Sequence, residues 1–395
     1  MPDRTKTLEP PSQLRRYFVD IIGGRCLWPK RKPFDTCLSL RDFGDRYFYL
    51  MLRFLSSEDY PIGVLMPRPY LVGPRTYLQG MDGYARLAFN YEHAQFIYRI
   101  PKATANMTLI HDGSDQRLTD QPWGKIITLD HDVSVVPNEY EPWMVMPYPM
   151  HPLAYADSHS IGELRQNARS IRLFFAGNVD RLAYTDTDNS MRVIGDRFGM
   201  MDRVEVIDAV LRLPDGRIWR LKGQSELTRA LTQGCRDRIV LSLKGECHVM
   251  HSEWLKTLSR CEVFLAPPGN SMPQCHNIIE AMAVGCIPLT NYVEWLSPPL
   301  TDGVNCFQFR DEKGLRKRVF EILGADELSI ASMRRHVIEY HDQYLAPESF
   351  LQKFRAQQVS RMRLFANTER EDVLKCVHAK SVLTAGQPQG GKPTK

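Results

Sequence analysis

Short apolar runs bounded by proline and glycine alternate along this chain with longer segments whose apolar residues recur every three or four positions. In the first 155 residues, 62–66, 107–110, 126–129 and 143–146 are such runs and predict buried strands. Tyr47, Phe48, Leu50, Met51, Phe54 and Leu55 stand at helical spacing and predict a helix within 38–55, with another around 84–98. Strands at 171–178, 238–243, 263–265 and 286–289 follow. Between them, helices are expected at 161–167, 204–213, 251–258 with Ser252 as its N-cap, and from Met272 or Pro273 through Ala283. Leu315, Val319, Ile322 and Leu323 form one apolar side of an amphipathic segment at 312–323, and two more helices are expected at 330–344 and 347–367.

Strands alternating with helices predict the α/β class with parallel sheets. A chain of 395 residues exceeds the size of one growing core, so more than one domain is expected. The expected division is an N-terminal α/β domain at 14–155, a second at 156–345, a C-terminal helix at 346–378 and a disordered tail at 379–395, with residues 1–13 loose. The loop 148–155 is the expected crossing between the domains.

Composition narrows the partners. A net charge of +5, with no basic run interleaved with aromatics, argues against nucleic acid. Nine cysteines without a C-x-x-C pair fit reduced thiols and a cytoplasmic setting, so the Asn106-Met107-Thr108 sequon is not expected to be glycosylated. No run reaches the length of a membrane span, which leaves only peripheral membrane contact open. Cys247-His248 and Cys275-His276 lack structural zinc spacing, and no metal is expected.

The candidate chemistry lies at strand ends. The strand 171–178 runs into Gly177-Asn178 and then Arg181, where glycine permits close backbone approach and arginine offers a charged fork to phosphate. Lys244 follows the next strand, and Pro267-Pro268-Gly269-Asn270 and Asn291-Tyr292 follow two more. On the central helix His276, Asn277 and Glu280 fall at i, i+1 and i+4, with the first two near a helix start that favours a diphosphate. Gly269 and Asn270 are expected to let the chain pass close to a ligand, and Gly285 to serve helix packing.

The segment Trp254-Leu255, Cys261-Glu262-Val263-Phe264-Leu265-Ala266-Pro267-Pro268-Gly269, then His276-x3-Glu280-Ala281-Met282-Ala283-x-Gly285-Cys286-Ile287-Pro288, resembles the donor half of GT-B glycosyltransferases. Within that fold it is most similar to the exostosin-like set, over about residues 171–323. The resemblance implies two Rossmann-like domains facing a cleft, a nucleoside-diphosphate sugar as co-substrate with no further cofactor, and a glycan or other hydroxyl acceptor, as in surface glycan synthesis. It carries over to Glu280 the role of accepting from ribose hydroxyls, which suits a carboxylate. The retaining enzymes of this fold have a second glutamate where Met272 stands, so inversion is expected. An inverting transfer needs a general base, for which Asp112 and His131, each after a predicted strand of the first domain, are the candidates. Arg181 and Lys244 are the expected counter-charges for the leaving diphosphate. Asp130/Asp132 and Asp186/Asp188 form D-x-D pairs without the strand context of a metal-dependent transferase. The competing expectations are a non-catalytic binding protein of the same fold and a nucleotide-sugar epimerase, while the absence of G-x-G-x-x-G after a strand disfavours a dehydrogenase.

Overall fold

The computed structural model describes residues 33–40, 45–65, 84, 87–88, 91–97, 99–113, 115–155, 160–184 and 189–385. The chain divides into two compact units, Met1–Ile127 and Thr128–Lys395. The described strands are β1 (Thr36–Ser39), β2 (Ile62–Leu65), β3 (Ala94–Ile97), β4 (Thr108–His111), β5 (Lys125–Asp130), β6 (Trp143–Val145), β7 (Ile171–Gly177), β8 (Ile218–Arg220), β9 (Cys235–Leu243), β10 (Cys261–Leu265), β11 (Ile287–Thr290), β12 (Phe307–Gln308) and β13 (Arg361–Phe365). They form a seven-stranded sheet, β3-β2-β1-β4-β5-β13-β6, and a six-stranded sheet, β12-β11-β10-β7-β9-β8. The border between the units falls within β5. The expected α/β class with parallel sheets is what the structure shows.

All five pairings of the six-stranded sheet are parallel. Such a sheet is covered on both faces, and its central strands therefore read as mostly apolar runs. Each residue of β10 and β11 is buried, as are Ile171 to Ala176 of β7. Two charged residues enter this core. Arg172 of β7 and Glu262 of β10 meet at 2.7 Å with side chains 4% and 2% exposed, so each supplies the counter-charge the other needs away from water.

Helix ends follow local chemistry. Asn189 caps Ser190–Phe198 by accepting from the Met191 N–H, and Gly199 ends the helix at φ 64°. Asp202 and Glu205 form a capping box at the start of Arg203–Leu211. The central helix His276–Ala283 ends before Gly285, at φ 78°. A Cβ there would stand 3.0 Å from Ile338 Cδ1, in line with the packing role expected for this glycine.

Several elements differ from expectation. Leu38 belongs to β1, and the helix that follows is Asp45–Leu55. Residues 94–97, expected within a helix, form the edge strand β3 with one buried side chain, Ala94, so no apolar run announces it. Met250 stands at the N-cap position of the helix 251–258 without a side-chain capping bond, and Ser252 lies inside it. The expected helix 347–367 stops at Arg355, and Arg361–Phe365 returns as β13. Arginines at 361 and 363 break that apolar run and conceal the strand. Within the tail expected to be disordered, Val382–Ala385 is helical and Val382 is 1% exposed, while residues 386–395 lie outside the described residues, as do 1–13. No helix among the described residues is long and apolar enough to cross a membrane.

Candidate functional site

Strand order in the six-stranded sheet reverses at β7. From β7 the chain reaches β9 on one side, then returns to the other side for β10. In such sheets the crevice beyond the carboxyl ends at this reversal receives ligands. Gly177 closes β7, and the Lys244 N–H after β9 donates to its carbonyl at 3.1 Å. The Asn178 side-chain oxygen accepts from the Asp180 N–H at 3.1 Å, fixing the turn.

After β10 the chain folds back on itself. The Gly269 N–H donates to the Pro273 carbonyl at 3.1 Å, and a Cβ on Gly269 would stand 2.6 Å from the Met272 oxygen. Loop closure thus requires this glycine, a constraint independent of any ligand. Asn270 is exposed beside it. The Ser190 hydroxyl donates to the Ser271 carbonyl at 2.5 Å and ties the loop to the helix Ser190–Phe198. The central helix opens at His276, later than Met272 or Pro273, because the loop occupies those positions. His276 and Asn277 consequently stand in its first turn, among N–H groups with no partner inside the helix. His276 Nδ1 lies 2.8 Å from the Pro149 carbonyl, and its ring stacks on Tyr148 at 5.1 Å. Met272, in the position of the second glutamate of retaining enzymes, is buried with Sδ 2.9 Å from Asn367 Nδ2.

Glu280 lies deeper than a polar helix edge implies. It is 2% exposed, and its two oxygens accept from Trp254 Nε1–H at 2.5 Å and the His151 N–H at 2.9 Å. Burial pushes its carboxyl up to about 7, against the opposing effect of the two donors. The segment carrying His151 is held over the helix by ring contacts, with His151 stacked on His251 at 4.8 Å and edge-on to His276 at 5.4 Å. Neither contact is readable from spacing within the motif.

The cations are arranged differently from expectation. Arg181 is exposed and holds Asp208 through two bonds of 2.8 and 2.7 Å. Lys244 is exposed and has no ion pair among the described residues. A third cation escapes sequence reasoning. Arg203, 7% exposed, donates Nε–H to the Pro268 carbonyl at 2.9 Å and lies over the Tyr184 ring at 5.3 Å. The capping pair Asp202/Glu205 is the signal that could have placed it in a first turn.

Asp112 follows β4 in the first unit and is half-buried. His131 follows β5 in the second and is also half-buried. Asp130 pairs with Arg363 at 3.1 Å, and Asp132 accepts from the Ser134 N–H at 3.1 Å and hydroxyl at 2.5 Å, so both acids of that D-x-D pair are engaged. Asp186 and Asp188 lie outside the described residues. Among the described residues no group of three or more His, Cys, Asp or Glu side chains is placed to hold a metal ion.

No family model matches the chain, and no curated protein does. Among solved structures, HepE of Anabaena in complex with UDP is similar at 11% identity and a TM-score of 0.41, over 82% of this chain and 98% of that one. A glycosyltransferase of Rickettsia africae is similar at 11% identity and 0.40, over 82% and 97%. AviGT4, a glycosyltransferase involved in avilamycin A biosynthesis, is similar at 14% and 0.36, over 82% and 99%. At these scores no residue of this chain takes a role from them.

Proposed function

We propose that this protein is a glycosyltransferase that moves a sugar from a nucleoside-diphosphate donor to a hydroxyl acceptor, with inversion and without a metal ion. The observation that carries the reading is the convergence, at the carboxyl edge of the second sheet, of the Gly177 turn, Lys244 beside it and the motif that runs from β10 into the first turn of the central helix. Glycine admits a phosphate to the backbone, the helix start offers N–H groups, and the cations balance the charge that develops on the leaving diphosphate.

In this reading Asp112 or His131 removes the acceptor proton, the acceptor oxygen attacks the anomeric carbon, and the nucleoside diphosphate leaves from the opposite face. Gly177, Asn178, Arg181, Lys244, Gly269, Asn270, His276 and Asn277 line the donor side. Glu280 accepts from the ribose through the lone pairs left beside the bonds from the His151 N–H and Trp254, which requires the cover over this 2% exposed side chain to open. That closure favours one second reading, a protein of the same architecture that binds donors without turnover. Incubation with UDP-, GDP-, dTDP- and CMP-sugars separates the two. Release of nucleotide from one donor supports transfer or donor hydrolysis, binding without release supports the second reading, and neither defeats both. Glu280→Gln is expected to weaken the productive donor tenfold or more, and an unchanged affinity would remove Glu280 from the site.

A further inference from the structure

Arg203 is a buried cation without a counter-charge. No carboxylate among the described residues pairs with it, and the nearest acid in sequence, Asp202, is committed to the Glu205 N–H in the capping box. A guanidinium withdrawn from water is stabilised only by acceptors that meet it, and those present are the Pro268 carbonyl, which takes Nε–H, and the neutral Tyr184 hydroxyl. The other end of the fork lies against the turn that ends β7: Nη1 is 3.6 Å from where a Cβ on Gly177 would stand. Arg203 therefore bridges the carboxyl ends of β7 and β10, the two strands between which the sheet order reverses.

The groups around it are polar and neutral. Tyr184, 9% exposed, lies under the guanidinium. From the end of β11 come Thr290, Asn291 and Tyr292, at 0%, 7% and 0% exposure, and the Tyr292 hydroxyl feels both Arg203 and the Cys275 thiol. Asn291 Nδ2 donates to the Met201 carbonyl at 2.9 Å, while Asn291 Oδ1 is buried with no hydrogen-bond partner among the described residues. Tyr184 and Tyr292 thus give the fork neutral polar neighbours, and no carboxylate among the described residues is bonded to it.

We infer that Arg203, rather than Arg181, is the anchor for a phosphoryl anion at the carboxyl edge of the second sheet, with Lys244 on the far side of Gly177. Arg181 already holds Asp208 and stands in water, where an added anion gains little. Arg203 has no anion to give up, and its planar fork matches two phosphoryl oxygens. The inference rests on the nucleotide-sugar reading for the identity of the ligand, but the anion site itself is tested without a nucleoside.

The probe is inorganic pyrophosphate, titrated calorimetrically into the full chain as wild type, Arg203→Gln, Arg203→Lys and the exposed control Arg212→Gln. Binding by the wild type and the control, with at least tenfold weaker binding by Arg203→Gln, is the expected result. Equal affinities, or no binding by the wild type, would overturn the inference. Should Arg203→Gln fail to fold, Arg203→Lys carries the test: loss of the fork should weaken pyrophosphate several-fold, and an unchanged affinity overturns the assignment. A parallel titration with UDP, GDP, dTDP and CMP keeps the two ideas apart. Pyrophosphate binding that depends on Arg203 without any nucleotide binding refutes the donor reading alone, and nucleotide binding indifferent to Arg203 refutes this one alone.

Discussion

The burial of Glu280 makes the stability of the second unit depend on pH in a direction that can be worked out. The carboxyl moves from an ordinary 4.5 up to about 7 on folding. Below 4.5 both states are protonated and the group has no effect. Between 4.5 and 7 the unfolded chain releases the proton while the folded chain keeps it, so stability falls as pH rises. The full loss is about 3 kcal/mol, of which about 2.5 kcal/mol falls between pH 5 and pH 8. Glu280→Gln removes the titration and retains one acceptor for Trp254 or His151. Urea unfolding of both proteins at the two pH values isolates the effect, because every other titrating group cancels in the difference. Wild type should lose about 2.5 kcal/mol relative to the variant on going from pH 5 to pH 8. A difference that stays constant within about 0.5 kcal/mol would refute the burial of a carboxyl without a counter-charge at this position.

Two further substitutions test the packing that positions the site. Glu262→Gln removes the buried partner of Arg172 and leaves it only the largely exposed Glu327, at 2.6 Å, so the urea midpoint should fall by the equivalent of about 1.5–3 kcal/mol; an unchanged midpoint would mean that water reaches the pair. Gly285→Ala places a Cβ 3.0 Å from Ile338 Cδ1 at φ 78° and should lower stability by about 1–2 kcal/mol, read as a lower thermal midpoint; an unchanged midpoint would contradict the positive φ.

What the chain declares of itself follows from range. β7, β10 and β11 are mostly apolar because helices cover both faces of their sheet, so each was legible as a strand to within a few residues, although Arg172 and Glu262 enter two of them. β3, β8 and β13 are short or carry charge within the run, and their pairing is set by partners far away in the chain. The helix Ser190–Phe198, unread by periodicity, had its ends written in Asn189 and Gly199. At the site, the glycine turn after β7 and the polar first turn of the central helix were local and visible. The closure of Glu280 joins residues 129 and 26 positions apart, and no spacing rule reaches that far. Arg203 is the same case. Its burial arises from a proline carbonyl 65 residues on and a tyrosine ring before it.

The measurement closest to the central claim is a thermal-shift titration of the full chain with UDP, GDP, dTDP and CMP. A ligand at a hundred times its dissociation constant stabilises the folded state by about 2.7 kcal/mol, which for units of this size raises the midpoint by roughly 5–10 °C. Such a rise is expected with at least one nucleoside diphosphate, and a much smaller one with its nucleoside. No shift with any of the four at millimolar concentration would contradict it.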